Sequence, residues 1–416
     1  MSRASPRIAV LAVGDELLSG EVVDTNLRSA ADALGDRGLS VARHVTVADD
    51  TDAISSEVSE LAREYDVIIV TGGLGPTSDD LTTEAIAKAA GTSLVFQPHI
   101  EQQLIAFFDS LGRSMPGDNL KQAYLPGGAL EIPAQGTAPG FMIEIEGALV
   151  AALPGVPSEM EAMLAGAVLP EIDARYPRRT ATGLKRLMTF GMGESDVALL
   201  LADRIHAGSV KYGFLARSGP IIVKLTAEAE DDRAVRQALL AEEREAEKKL
   251  GDLVYSTDDR SLEEVVGEML RARGMTVSTA ESLTAGMVSA RLADVPGSSD
   301  YLLGGVVAYG AEEKRRLLEV PAELMAGGVV GTGVAEAMAR GAMKLFGSDM
   351  ALATTGIAGP GTGGETKRRG TVALAVVDRE RAVSVERRLP GDRAMVRNIA
   401  TMAALNAARL FLSAEP

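Results

Sequence analysis

The sequence predicts an α/β protein of three domains: a doubly wound amino-terminal domain, a small α/β connector and a second α/β domain. Three observations predict it. Short apolar runs of strand length alternate with helical stretches in both halves of the chain, the pattern of a sheet covered by helices on both faces. The 416 residues exceed one ordinary core, and domains of about 100–200 residues give two to three of them. Hydrophobic residues are 46% and charged residues 24%, a globular composition that leaves little room for long disorder.

The elements follow in order. Residues 8–13 read as a strand, 25–34 as a helix, 67–70 as a strand and 81–90 as a helix, so a parallel sheet is expected. Residues 141–145 and 148–153 flank Glu146-Gly147 as a hairpin. Pro154-Gly155-Val156-Pro157 then turns the chain into a helix through Leu164. This first domain is expected to span residues 1–172. The connector, residues 176–255, carries a strand near 221–226 and a charged helix over 231–250. Val235, Leu239, Ala246 and Leu250 share one face of that helix, so its charges are expected to face water. The string at 191–195 reads as a tight turn capping the next helix. In the third domain, residues 260–416, Ser261 and Glu264 form a capping box, 262–273 a helix and Gly274 its stop. Residues 306–308, 352–354 and 372–377 read as strands.

Charge and composition narrow the function. A net charge of −16 and a pI near 4.8 repel nucleic acid and anionic membrane. The basic clusters Arg178-Arg179 and Lys367-Arg368-Arg369 are short and read as solvated loop tips. No apolar run approaches the roughly 20 residues that cross a bilayer, and residues 1–6 lack a cleavage-site pattern. A cytoplasmic protein with no membrane and no direct nucleic-acid partner is expected. The absence of cysteine and the presence of only three histidines remove zinc sites and most ways of activating a nucleophile. A serine with a lysine base remains.

In the third domain Ser299 is the candidate nucleophile. Lys314 is its base once burial disfavours the ammonium form, and Tyr309 relays a proton or orients the substrate. Thr355 and Gly356 follow an apolar strand and fall at a sheet's carboxyl edge, where open α/β sheets bind ligands. Arg393 and Arg397, four apart at the start of a helix, suit a phosphate. Taken singly, Ser298-Ser299 is also turn chemistry after Pro296-Gly297, Lys314 a solvated helix charge and Thr355 a strand end.

In the first domain Gly72, Gly73 and Gly75 let backbone amides approach an anion, with Thr77 beside them at a helix start. Asp15, Glu16, Asp79 and Asp80 supply hard oxygen ligands for a divalent cation such as Mg²⁺ bridging a diphosphate. Asp79 or Asp80 serves equally as a helix cap. The Gly-x-Gly-x-x-Gly fingerprint of dinucleotide folds is missing.

Several strings carry a resemblance. Ala280-Glu281-Ser282-Leu283-Thr284-Ala285-Gly286, Asp294-Val295-Pro296-Gly297-Ser298-Ser299, Gly304-Gly305-Val306-Val307-Ala308-Tyr309, Thr355-Gly356-Ile357-Ala358-Gly359-Pro360 and Pro390-Gly391-Asp392-Arg393 resemble the carboxyl-terminal domain of the CinA family, competence/damage-inducible protein A. Asp24-Thr25-Asn26, Asn119-Leu120-Lys121-Gln122-Ala123, Gly136-Thr137-Ala138-Pro139-Gly140 and Leu153-Pro154-Gly155-Val156-Pro157 resemble the molybdopterin-binding fold in its CinA version. The resemblance implies a molybdopterin-binding-like amino-terminal domain with metal-dependent ADP-ribose pyrophosphatase activity. It also implies a carboxyl-terminal deamidase that converts nicotinamide mononucleotide to nicotinate mononucleotide and ammonia without a cofactor. On the matching positions Ser299 is the nucleophile, Lys314 the base, Tyr309 and Thr355 assistants, Arg393 a substrate holder and Ser282 a lining residue. A homodimer is implied as well. The chain departs from the family pattern at Leu283 and Ala285, at Gly310 and Ala311, and at Gly331. Two other functions stay open: molybdopterin handling in the first domain, and nucleotide binding without turnover.

Overall fold

The computed structural model describes residues 5–177, 180–208, 210–216, 219–361 and 366–414; Arg178-Arg179 lies outside them. The chain forms two compact units, Met1–Leu184 with Glu228–Val235, and Lys185–Ala227 with Arg236–Pro416.

In the first unit the strands are β1 (Ile8–Val13), β2 (Val41–Val47), β3 (Val67–Thr71), β4 (Leu94–Phe96), β5 (Tyr124–Pro126), β6 (Leu130–Ile132), β7 (Gly140–Ile145) and β8 (Ala148–Leu153). Six of them form one sheet in the order β2-β1-β3-β8-β7-β6, and β4 pairs with β5. Every residue of β1, β3 and β8 is buried, as parallel strands covered on both faces require. β2, β1, β3 and β8 are parallel as expected, and at the expected hairpin β7 reverses direction against β8, with β6 antiparallel to β7. In that two-residue hairpin Glu146 and Gly147 take φ of 52° and 87°, the left-handed pair that matches strand twist. One face packs on the helices Asn26–Gly35 and Pro157–Met163 through Ala30, Leu34, Met160 and Met163. The other packs on Thr51–Glu64, Thr82–Ala89 and Pro98–Ser110 through Ile54, Val58, Ile86 and Leu104.

The second unit begins within β9 (Ala181–Thr189), which joins β10 (Lys211–Ala216), β11 (Ile221–Ala229) and β12 (Val254–Ser256) in the order β10-β11-β9-β12. Val235, Leu239, Ala246 and Leu250 of the helix Asp232–Leu250 are buried. Its charges do not all face water, however. Glu242 and Glu243 are buried because cations on neighbouring elements reach them: Arg204 Nε lies 2.8 Å from Glu242 Oε1 and Lys185 Nζ lies 3.0 Å from Glu243. The turn at Gly191 (φ 107°) does precede the helix Glu194–Leu200, whose N-cap Gly193 offers no side chain to cap it.

The rest of this unit is a five-stranded sheet of β13 (Val277–Glu281), β14 (Leu302–Val307), β15 (Met350–Gly356), β16 (Thr371–Val377) and β17 (Ala382–Arg388), ordered β14-β13-β15-β16-β17. β14, β13 and β15 are parallel, with Glu281 opposite Val307 and Thr354, so their carboxyl ends share one edge. The helix Leu262–Arg273 starts on the capping box of Ser261 and Glu264 and stops at left-handed Gly274. It packs on one face with Arg393–Ser413 through Val266, Leu270, Val396 and Leu405, while Thr332–Phe346 covers the other. Among the described residues no helix is long and apolar enough to cross a membrane.

Candidate functional sites

At the carboxyl edge of β13 the chain leaves Glu281 and turns through Ser282 to Gly286. Glu281 builds that turn: its carboxylate accepts from the backbone N–H of Gly286 (2.8 Å), Val288 (3.1 Å) and Ser289 (2.8 Å). This ties the loop to the first turn of the helix Met287–Ala293. Ser282 is fixed by its own N–H, 2.9 Å from the Thr354 carbonyl. Next to it, buried Thr284 and Thr354 share a hydroxyl contact of 2.6 Å.

Lys314, on the helix Ala311–Leu318, is fully buried. Its Nζ lies 3.0 Å from Ser282 Oγ, 2.9 Å from the Ala308 carbonyl and 3.1 Å from that of Tyr309. The solvated-charge reading of Lys314 is thereby excluded. The assignment of Ser299 as its partner is corrected. Ser299 is exposed on the turn Ser298–Asp300, just before β14, at the amino edge of the parallel strands. Ser282 lies past the other end of β13, whose first residue Val277 pairs with Leu302. Five strand residues at about 3.3 Å each put roughly 16 Å between the two edges, so the serine that meets Lys314 is Ser282.

The remaining predicted residues divide. Tyr309 is half-exposed, and its hydroxyl accepts from Arg393 Nη2 at 2.8 Å while Arg393 Nη1 donates to the Gly359 carbonyl at 2.8 Å. Arg397, one turn on, donates to the carbonyls of Leu283 (2.9 Å) and Thr284 (3.0 Å), bracing the serine loop. Thr355 is buried, and its hydroxyl donates to the Val329 carbonyl at 2.8 Å, which braces a loop. Gly356 is packed against β16, where a Cβ would stand 2.8 Å from the Thr371 carbonyl. Sequence reasoning missed Glu281, Thr284, Thr354 and the central position of Ser282. The one available signal was a glutamate followed by serine just past an apolar run.

In the first unit a cleft of about 510 Å³ opens at the carboxyl ends of β1, β3 and β8. Gly72 and Gly73 have φ of 100° and 67°, and a Cβ there would come within 2.4 Å of the Val13 carbonyl and 2.3 Å of Thr82 Oγ1. Only glycine fits these positions. The cleft is lined by Gly72, Gly73 and Gly75 and by six carboxylates: Glu16, Asp24, Asp49, Asp79, Asp80 and Glu159. Among the described residues, no lysine, arginine or histidine lines it. Burial first, then repulsion from Asp15, Glu16 and Asp79, raises the Asp49 carboxyl above the usual range, and burial raises Glu159.

The predicted metal set is only partly assembled. Among the described residues no three acidic or histidine side chains form a preformed cation site. Asp15 is outside the lining, with its N–H on Asp49 at 2.9 Å. Asp80 accepts from the N–H of Thr77 at 2.8 Å and from its hydroxyl, so Thr77 shapes the loop from outside the cleft lining. Neither Asp79 nor Asp80 caps the helix Thr82–Ala89, whose N-cap is Leu81. Lys121 pins the same loop from behind through the carbonyls of Thr77 and Asp80. Glu16 and Asp79 remain at the cleft as carboxylates close enough to Asp49 to repel its charge.

Three family models match the chain in succession. Residues 9–174 match the family model of the probable molybdopterin binding domain, residues 184–256 that of the damage-inducible protein CinA KH domain, and residues 259–412 that of the CinA C-terminal domain. A CinA-like protein of Citrifermentans bemidjiense is 44% identical over 412 residues, 98% of this chain and 97% of that protein. A protein of Moorella thermoacetica described as competence-damage inducible is 40% identical, over 94% of this chain and 95% of its own length. The crystal structure of the protein CinA from Thermoplasma acidophilum covers 41% of this chain and 99% of its own, with 34% identity and a TM-score of 0.37. With its molybdopterin-binding-like, KH-like and carboxyl-terminal domains in that order, the chain belongs to the CinA family.

Proposed function

We propose that the chain is a two-site hydrolase of pyridine nucleotides, a carboxyl-terminal amidase for nicotinamide mononucleotide and an amino-terminal ADP-ribose pyrophosphatase. The observation that carries the amidase reading is the buried contact between Lys314 Nζ and Ser282 Oγ at 3.0 Å, within the reach a general base needs. Lys314 Nζ donates to Ser282 Oγ and to the Ala308 and Tyr309 carbonyls, and on losing a proton it turns a lone pair to the serine hydroxyl. Ser282 Oγ attacks the carboxamide carbon as Lys314 accepts its proton, and the resulting ammonium gives that proton to the amide nitrogen, which leaves as ammonia when the C–N bond breaks. Water then cleaves the acyl-enzyme to the carboxylate. Arg393, held by Gly359 and Tyr309 beside the serine loop, is the proposed phosphate holder. The test is ammonia release from nicotinamide mononucleotide by the wild type and by Ser282→Ala. Turnover that survives the substitution would overturn the dyad.

The pyrophosphatase reading rests on the charge of the first cleft. An acidic wall without a cationic side chain repels a diphosphate, so a diphosphate enters with a divalent cation. Mg²⁺ is ordinarily held by one or two carboxylates plus substrate phosphates, and Glu16, Asp49 and Asp79 fit that partial set. The cation would neutralise phosphate charge there, while Gly72, Gly73 and Gly75 let the backbone come close to it. ADP-ribose hydrolysis with and without Mg²⁺, repeated in Asp79→Asn, tests the assignment; metal-independent hydrolysis would refute it.

A further inference from the structure

Beside the acidic cleft lies a second groove of about 500 Å³, lined by Ile100, Leu104 and Phe107 of the helix Pro98–Ser110, by Pro133, and by the carboxamides Gln103 and Gln135. The two cavities share Thr137. The partition between them is the backbone near Gly136, where a Cβ would stand 2.2 Å from Glu159 Oε1, an atom of a residue that lines the first cleft. Their chemistry is complementary. Among the described residues, the cleft has six carboxylates and no aromatic ring in its lining, while the groove has a phenyl ring and aliphatic walls and no charged side chain.

A nucleoside diphosphate has the same division: charged phosphates at one end and a flat, neutral ring at the other. The described lining of the cleft has aliphatic faces such as Val22 and Val156 but no aromatic ring, and aromatic side chains are the usual stacking platform for a base. We propose that this groove is the nucleobase subsite of the amino-terminal site. The phosphates occupy the glycine loop, the chain of the ligand passes Thr137, and the base lies against Phe107 with Gln103 and Gln135 at its polar edge. A pocket with apolar walls and a few polar groups is the usual design for such a ring. The proposal rests on the reading of the neighbouring cleft as a diphosphate site, and the experiment separates the two.

Calorimetric titration of the full-length protein with ADP and, separately, with inorganic pyrophosphate, both with Mg²⁺, measures the base's contribution. Phe107→Ala is expected to weaken ADP binding by roughly tenfold or more, the scale of a lost stacking contact, and to leave pyrophosphate binding unchanged. Pyrophosphate binding in the variant also reports that it is folded. Ala106→Trp fills the groove from its exposed rim without touching the core and is expected to give the same selective loss. Unchanged ADP affinity in both variants would overturn the subsite while leaving the diphosphate reading intact. A change in self-association with ADP affinity unchanged would overturn it too, by assigning the groove to a second copy of the chain. Failure of the wild type to bind either ligand would overturn both readings together.

Discussion

Ser282 and Lys314 are 32 residues apart, and their contact depends on which end of β13 meets the helix Ala311–Leu318. Ser282→Ala is expected to abolish ammonia release from nicotinamide mononucleotide, whereas Ser299→Ala is expected to leave the rate within about twofold, since exposed positions away from a site rarely matter. Steady-state ammonia assays on both variants decide between the serines. Tyr309 and Arg393 were legible because each stands in a short distinctive string, and Lys314 because a chain without cysteine and with three histidines leaves lysine as the base. The serine that meets Lys314 was not, because Ser299 is nearer to Lys314 along the chain, and only strand register shows that it belongs to the opposite edge. The departures from the family pattern also acquire physical content. Leu283 is buried in the core, so its side chain serves packing. Ala285 is held at φ 52°, a left-handed conformation that costs a non-glycine residue about 1 kcal/mol. Ala285→Gly is expected to raise stability by up to about 1 kcal/mol, read as an upward shift of the urea midpoint; an unchanged or lower midpoint would show that the loop stores no such strain.

At the scale of elements, two carboxylates organise their surroundings in different ways. Glu281 joins a strand end to a helix start through three backbone N–H groups. Glu281→Gln puts an amide where only acceptors fit, and about 1–3 kcal/mol of stability should be lost, with a fall in amidase kcat because Ser282 is the next residue. A variant with native stability and native kcat would show that the loop holds its shape without this residue. Glu242 instead gathers side chains: Arg204 reaches both its oxygens and the Tyr212 hydroxyl donates to it at 2.6 Å. Arg204 holds the Glu242 carboxyl below the usual range, while burial, then Glu242, pushes the Tyr212 hydroxyl up. The carboxylate's contribution is full above its unfolded value of about 4.3 and is lost as pH falls through the lowered folded value. The tyrosine's is full below about 10 and is lost as pH rises through the raised one. Stability should therefore fall at both ends, and Tyr212→Phe should flatten the alkaline limb; a denaturation profile as alkali-sensitive as the parent's would clear Tyr212 of that role. The helix that carries Glu242 was legible from its apolar face, as the capping box at Ser261 and the Glu146-Gly147 turn were from local chemistry. The burial of its charges was not, because their partners come from other elements.

Over the whole chain, the connector does not stand alone. Phe190 and Tyr255 belong to the same hydrophobic cluster as Val266, Val396 and Leu405, and buried Arg409 donates from the helix Arg393–Ser413 to the carbonyls of Asp252 (2.5 Å) and Val254 (3.3 Å). Composition alone marked residues 176–255 as different; only the tertiary contacts show that much of this stretch folds with the carboxyl-terminal helices. The first unit, by contrast, has clusters of its own on each face of its sheet, and all the lining of the acidic cleft falls between Val13 and Glu159, within that unit. The serine, the lysine and both arginines of the other site fall within the second unit. The two proposed reactions, each placed within one unit, should respond separately to mutation, since distant sites with no shared partners are close to additive. Ser282→Ala is therefore expected to remove ammonia release while leaving ADP-ribose hydrolysis at the wild-type rate. Asp79→Asn should do the reverse. Measuring both reactions on both variants in one preparation closes the comparison: a parallel loss of the two activities in either variant would mean that the sites are coupled and that each unit's chemistry depends on the other's.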